Sequence, residues 1–206
     1  MKIISVGAEA VLYVEDGKVI KQRQPKKNRV KELDDRLRLH RMRREARAIA
    51  TLQQLGIPVP KLVKADEKTA TLTMQLIEGK KAREALNNGN CAALCTEIGK
   101  AVGIMHKNNL VHGDLTTSNM ILSSSDGKVY FVDFGLSLFT GKDEDKAVDL
   151  HLFRQALGSS HHAIANECFA AAIKAYKEAN GTGWKSVLNR LEKVEERGRN
   201  KHKMKE

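Results

Sequence analysis

The pattern of the chain changes at Glu78-Gly79, and that change limits the folds open to it. Upstream, short runs Ile3 to Val6, Ala10 to Val14, Lys18 to Arg23, Lys61 to Ala65 and Thr69 to Ile77 read as strands. Asp16-Gly17 has the chemistry of a two-residue hairpin turn. One long helical segment, about Asn28 to Leu55, interrupts the strands. Val30, Leu33 and Leu37 begin an apolar stripe and Met42, Ile49 and Leu52 continue one, which allows a break near Leu39-His40. Gly56-Ile57-Pro58-Val59-Pro60 ends the segment. Downstream the period becomes helical, over Ala82 to Asn87, Ala92 to Asn108, Asp145 to Leu157, Ile164 to Ala179 and Trp184 to about Arg197. One hairpin, Asn119 to Ser123 and Lys128 to Val132, turns at Asp126-Gly127. A β-rich part followed by a helical part predicts an α+β chain of two lobes with a cleft between them, the usual place for a ligand.

Polar residues gather where apolar runs end. Val111-His112-Gly113-Asp114-Leu115-Thr116-Thr117-Ser118-Asn119 places a carboxylate and a carboxamide five residues apart in a loop held by apolar runs on both sides. Asp133-Phe134-Gly135 closes the run Val129 to Val132. Two carboxylates and an amide suit magnesium and phosphate chemistry, because a hard cation takes oxygen ligands. Upstream, Gly7-Ala8-Glu9-Ala10 breaks the first two strands, and a turn of small residues lets backbone N–H groups approach a phosphate. With one glycine it is a weak signal. Lys21, after Val19-Ile20, either points inward toward a phosphate or sits at the solvent edge of its strand. Glu45 lies three residues after Met42 and four before Ile49, so it projects from the buried stripe. A carboxylate there needs a cation: Lys21, or Arg41 or Arg44 on its own helix.

The formal charge of +11 is unevenly spread. Lys21 to Arg47 holds twelve Lys/Arg against four Asp/Glu, and Lys185 to Glu206 holds eight against four. Two such clusters favour a polyanionic partner over a merely solvated surface. No apolar run approaches the roughly 18–20 residues of a membrane span, and Met1-Lys2-Ile3-Ile4 runs straight into a strand pattern rather than a signal peptide. Membrane attachment is therefore not expected. Cys91 and Cys95 share one helix face at i, i+4 and Cys168 stands apart, a pattern of reduced cysteines in a cytoplasmic protein. His161-His162 reads as a helix-start loop in preference to a metal pair.

Taken in order, a β-turn-β unit, strand lysine, helix glutamate, lobe junction, His-x-Asp-x₄-Asn and a strand ending in Asp-Phe-Gly resemble the protein-kinase fold. That resemblance implies a bilobal kinase-like α+β fold, with a small β-rich N-lobe carrying one long helical segment (1–78) and a reduced, mostly helical C-lobe (79–196). A basic C-terminal tail (197–206) follows. It also implies ATP and Mg2+ as cofactors. Lys21 would hold the α- and β-phosphates, oriented by Glu45, and Gly7, Ala8, Glu9 and Ala10 would cover the phosphates. Gln75 and Ile77 at the junction would line the nucleotide, Asn119 and Asp133 would bind Mg2+, and Asp114 would accept a proton from a hydroxyl or orient a water. The departures also matter. Gly113 stands where an arginine commonly precedes the catalytic aspartate, and Thr116 stands where a lysine is frequent. Only Leu136 to Glu144 separates Gly135 from the next helix, with no Ala-Pro-Glu segment to dock a peptide.

A narrower resemblance runs over nearly the whole chain. Gly7-Ala8-Glu9-Ala10, Ile20-Lys21-Gln22-Arg23, Arg44-Glu45-Ala46, the loop 112–119, Asp133-Phe134-Gly135-Leu136, Glu144-Asp145-Lys146-Ala147-Val148-Asp149-Leu150 and Glu195-Glu196-Arg197-Gly198-Arg199 resemble the PRPK family, the small RIO-like kinase subunit of the KEOPS/EKC complex. The resemblance implies an atypical Ser/Thr kinase or ATPase supporting N6-threonylcarbamoyladenosine formation on tRNA. Its partners would be the threonylcarbamoyl-transferase subunit, a TPRKB-type small subunit at the N-lobe, and tRNA. Arg197, Arg199, Lys201, Lys203 and Lys205 would contact tRNA phosphates. Asp149 would brace the catalytic loop, and the setting would be cytoplasmic, or also nuclear in a eukaryote. Two rival readings use the same loop: a small-molecule phosphotransferase of aminoglycoside or choline kinase type, and a catalytically idle tRNA-binding scaffold.

Overall fold

The structure is a computed structural model that describes residues 2–7, 9–26 and 28–203, with side chains to residue 197. It divides into two compact units, one of residues 1–78 with 130–136, the other of 79–129 with 137–206.

The first unit is built on an antiparallel sheet of β1 (Lys2–Val6), β2 (Ala10–Glu15), β3 (Lys18–Arg23), β4 (Leu62–Asp66) and β5 (Thr71–Gln75), in the order β1-β2-β3-β5-β4. Asp16 and Gly17, at φ 49° and 68°, form the left-handed turn that suits the twist of a two-residue hairpin. Lys21 lies in the middle of this sheet, opposite Leu12 on one side and Leu72 on the other.

Helix α1 (Lys31–Gln54) packs on β4 and β5. Its buried face carries Met42, Glu45, Ala48, Ile49 and Leu52. Burial of apolar side chains such as Met, Ile and Leu stabilises a fold by about 1.5–3 kcal/mol each. The helix runs unbroken past Leu39-His40, because no glycine or proline interrupts it. Its first turns depart from the expected apolar stripe. Val30 and Leu33 are exposed, and Asp34 is buried instead, with Arg38 Nε at 2.9 Å and the Lys26 N–H at 3.2 Å. The ion pair dictates which side faces inward there. At the far end, Gly56 N–H donates to Gln53 and Ile57 N–H to Leu52, the paired bonds of a Schellman motif. Residues 130–136 join this unit, with Phe131 N–H donating to the Pro58 carbonyl at 3.0 Å.

The second unit begins with β6 (Gly79–Lys81) and the short α2 (Ala82–Ala85), then α3 (Cys91–Lys107) and β7 (Leu110–Val111). A 3-10 turn (Thr117–Asn119) leads into β8 (Met120–Ser123), which pairs with β6 and is followed by β9 (Val129–Phe131), whose residues from Tyr130 on are counted with the first unit. After the excursion to the first unit come β10 (Leu138–Phe139), α4 (Asp143–Ser160), α5 (Ala165–Asn180) and α6 (Trp184–Lys203). β10 pairs with β7, a ladder too short to register as a period in the sequence.

Helices α3 and α5 meet at backbone distance: a Cβ on Gly99 would lie 2.0 Å from the Ala172 carbonyl oxygen, and one on Gly103 would lie 2.9 Å from that of Tyr176. Ile98, Val102, Met105, Phe153, Leu157 and Tyr176 fill the core of this unit. All three cysteines are free and buried. No helix among the described residues is long and apolar enough to cross a membrane.

Candidate functional site

In the first unit, β3, α1 and the segment 130–136 bring four charged side chains together. Lys21 Nζ donates to Glu45 Oε1 at 2.8 Å and to Asp133 Oδ1 at 2.7 Å. Arg23 Nη2 donates to Glu45 Oε2 at 2.5 Å. Glu45 is 1% exposed, and a buried carboxylate is tolerable only when paired and hydrogen-bonded. Both of its oxygens are committed, and neither to Arg44. Arg41 holds Glu9 instead. Two cations and two carboxylates leave the group without net charge.

Asp133 is the accessible member, its side chain 51% exposed. Burial works to raise its carboxyl, but the Lys21 ammonium, with Arg23 and the Gly135 N–H, outweighs that and holds it below the ordinary aspartate value. Its φ of 63° lies in the left-handed region, which Asp tolerates better than most residues. Lys21 donates two hydrogens here, and an ammonium has three.

The remaining first-unit residues are placed as follows. Gly7 N–H donates to the Ala10 carbonyl at 2.9 Å, closing the turn between β1 and β2. Glu9 is held by Lys26, in the segment before α1, at 2.6 Å, and by Arg41 on α1. Burial opposes ionisation of Glu9, but those two cations prevail and lower its pKa. Gln75 and Ile77 are half-buried, and Gln75 Oε1 accepts the Lys61 N–H at 3.3 Å. Ala8 lies outside the described residues.

In the second unit, the loop 111–119 is tied down from several sides. Asn119 Nδ2 donates to Asp114 Oδ2 at 2.8 Å and to the Asp114 carbonyl at 3.0 Å, which turns its Oδ1 outward from this pair. The Asp114 N–H meets His112 Nδ1 at 3.3 Å. Gly113 has φ 80°, a left-handed conformation that glycine adopts without cost and that a side chain at this position would strain. Beneath the loop, Asp149 on α4 accepts the His112 N–H at 2.6 Å and the Gly113 N–H at 2.9 Å. His106 Nε2 stands 3.3 Å from the same carboxylate, and His106 Nδ1 stands 3.1 Å from the Tyr176 hydroxyl. The neighbouring polar residues of α4 fix other loops, Asp145 through the Thr140 hydroxyl and Lys146 through Asn109 Oδ1.

Of the five basic residues expected to face tRNA, Arg197 is 62% exposed and pairs with Glu144 at 2.8 Å. The side chains of Arg199, Lys201 and Lys203, and all of Lys205, lie outside the described residues; the α6 backbone is helical to Lys203. Arg23 is a site residue that the sequence motifs do not single out. Its one signal is position: two residues after Lys21 on a strand, it shares that side chain's face.

Residues 8–152 match the RIO domain family. The chain is 36% identical to the KEOPS complex subunit Bud32 of Pyrococcus abyssi, over 97% of this chain and 96% of that protein. It is 35% identical to a probable bifunctional tRNA threonylcarbamoyladenosine biosynthesis protein of Methanothermobacter thermautotrophicus, over 96% of this chain but 36% of that longer protein. Among solved structures, the Rio2 kinase of Chaetomium thermophilum, in an ADP/Mg2+-phosphoaspartate complex, superposes with a TM-score of 0.65 over 95% of this chain and 72% of that one. At 16% identity that likeness establishes a kinase-like fold. The chain belongs to the RIO domain family and, within it, to the Bud32 family.

Proposed function

We propose that this protein is the ATP- and Mg2+-dependent kinase or ATPase subunit of a KEOPS complex, supporting N6-threonylcarbamoyladenosine formation on tRNA. The observation that carries the reading is Lys21 shared between buried Glu45 and accessible Asp133. Phosphoryl transfer needs charge placed and neutralised, with little covalent work from the protein. Lys21 has one hydrogen left for a phosphate oxygen, and Glu45 fixes the direction from which it comes. Asp133 in the first unit and the outward Oδ1 of Asn119 in the second each offer an oxygen donor of the kind Mg2+ prefers, so the chemistry of each residue fits that ion. When bound, the ion supplies charge neutralisation on the phosphates. Asp114, fixed by Asn119 and His112, takes the proton of an attacking hydroxyl or orients a water. The turn at Gly7, Glu9 and Ala10 covers the phosphates, and Gln75 and Ile77 border the base.

The partners follow from the relatives. A protein named as bifunctional in threonylcarbamoyladenosine biosynthesis contains a stretch like this chain within a longer polypeptide. That supports the threonylcarbamoyl-transferase subunit as a partner; a TPRKB-type subunit at the first unit is proposed on the family resemblance alone. The basic excess, Arg197 and the residues after it included, supports tRNA as the polyanion.

The test is ATP turnover measured alone, with tRNA and with the transferase subunit. Turnover should rise with the partners and be lost in Asp133→Ala while the circular dichroism spectrum is kept. Equal turnover by that variant would overturn the reading.

A further inference from the structure

Arg23 is the one charged member of the first-unit cluster that the mechanism above leaves without a task. It is 4% exposed, and its backbone is fixed on two sides: its N–H donates to the Ala70 carbonyl at 3.4 Å and its own carbonyl accepts Arg38 Nη1 at 3.3 Å. Its guanidinium does two things at once. Nη2 meets Glu45 Oε2 at 2.5 Å, and the same group lies against the backbone of Gly135. A Cβ built on Gly135 would come 2.6 Å from Nη2 and 3.4 Å from both Cζ and Nη1. A terminal guanidinium can ordinarily swing aside from such a contact, but this one is held by a buried carboxylate.

Charge counting gives the contact its meaning. Lys21 alone would face two carboxylates, Glu45 and Asp133, and the cluster would carry an excess negative charge in partly desolvated surroundings. That charge would repel a nucleotide's phosphates. Arg23 balances Glu45 from its second oxygen. The ammonium of Lys21 is then matched by Asp133 alone, and Asp133 is the carboxylate a cation would draw away.

We propose that Arg23 is a positioning residue for nucleotide: it neutralises and orients Glu45, and it seats the Asp133-Phe134-Gly135 segment through a contact that requires glycine at 135. The inference rests on the ATP reading for its consequence, while the Arg23–Gly135 contact stands independently of it.

A double-mutant cycle tests both parts, using the full chain as wild type, Arg23→Ala, Gly135→Ala and the double variant. Gly135→Ala should lower kcat/KM for ATP about tenfold when Arg23 is present, mainly through KM, and less than about twofold when Arg23 is already alanine. Arg23→Ala should itself raise KM for ATP, and Arg23→Lys should recover part of the loss. Additive effects of the two substitutions, or an unchanged KM in Arg23→Ala, would overturn the proposal. Urea midpoints of the same four proteins should show the same non-additivity, and additive midpoints would refute the contact even in a protein that turns over no ATP. A wild type without ATP binding or turnover would overturn the ATP reading and, with it, the role of Arg23 toward nucleotide. Should Arg23→Ala not fold, Arg23→Lys takes its place in the cycle, since an ammonium has no planar fork to lie on Gly135.

Discussion

Asp149 accepts the backbone N–H of His112 at 2.6 Å, beneath a loop whose next charged residue is Asp114. Its other oxygen accepts the Gly113 N–H, and His106 approaches the first. Asp149→Ala would leave these buried donors without an acceptor, at about 1–3 kcal/mol each. The variant should unfold at a clearly lower urea concentration and lose turnover even where it remains folded. A urea midpoint equal to that of the wild type would contradict this account of Asp149.

The low pKa of Asp133 has a defined consequence for acid stability. Its folded value lies below the ordinary one because Lys21 and Arg23 outweigh the effect of burial. The stabilisation is therefore fully present above the unfolded value of about 3.9 and is lost as pH falls through the folded value. The difference in urea midpoint between wild type and Asp133→Asn should stay constant from about pH 7 to pH 5 and narrow below about pH 4. Because half of the side chain is exposed, the difference should also shrink with added salt. A gap that widens toward acid would have the wrong sign.

Two helical glycines should respond oppositely to the same substitution. On α4, a Cβ at Gly158 meets nothing within 4 Å, so Gly158→Ala should stabilise by up to about 1 kcal/mol. On α3, a Cβ at Gly99 would collide with the Ala172 backbone, and Gly99→Ala should destabilise by about 1–3 kcal/mol or more as α5 is forced away. Thermal unfolding of the pair checks both signs together.

The cysteines should be inert until the chain unfolds. Burial, then Glu167 and Cys168, pushes the Cys91 thiol up to about 11, and burial raises Cys95 as well. At pH 8 Cys91 would therefore be held almost wholly as the thiol, and the thiolate is the reactive form. Iodoacetamide followed by mass spectrometry should find negligible labelling of the native protein and three modified cysteines in urea. Rapid native labelling at Cys91 would show that α3 opens there.

Removing residues 198–206 deletes Arg199, Lys201, Lys203 and Lys205. tRNA affinity should fall, and the slope of log affinity against log salt should flatten by about 0.7–0.9 for each phosphate that the shortened chain no longer neutralises. ATP affinity should change far less. An unaltered salt slope would remove these residues from the tRNA surface.

That Glu45 needs a cation is legible from periodicity, because it lies between Met42 and Ile49 on a buried stripe; which cation, Lys21 or an arginine of its own helix, is decided only by the sheet that sets Lys21 beside it. Arg23 is not legible, since a basic residue in a basic run looks like solvated surface until its carboxylate is seen from both sides. The start of α1 defeats the pattern for a related reason. Asp34 turns inward because Arg29, Arg38 and the Lys26 N–H neutralise it, and Val30 and Leu33 turn out. Ladders as short as β7 with β10 carry no period at all. The loop 112–119 can be placed by its apolar flanks, whereas the polar floor beneath it, His106 and Tyr176, depends on how closely α3 and α5 approach. That distance is set by Gly99 and Gly103, two residues that carry no polar signal.

The return of residues 130–136 to the first unit bears on how the chain is born. A nascent chain that has just emerged to Glu78 holds the whole sheet and α1, but its buried ion cluster has Lys21 and Arg23 against Glu45 alone. The second carboxylate and the strand that bonds to Pro58 come more than fifty residues later. At about 5–20 residues per second of synthesis, that interval lasts several seconds. During it the amino-terminal sheet carries an unbalanced cation, and its maturation waits on a segment synthesised after the whole of α3.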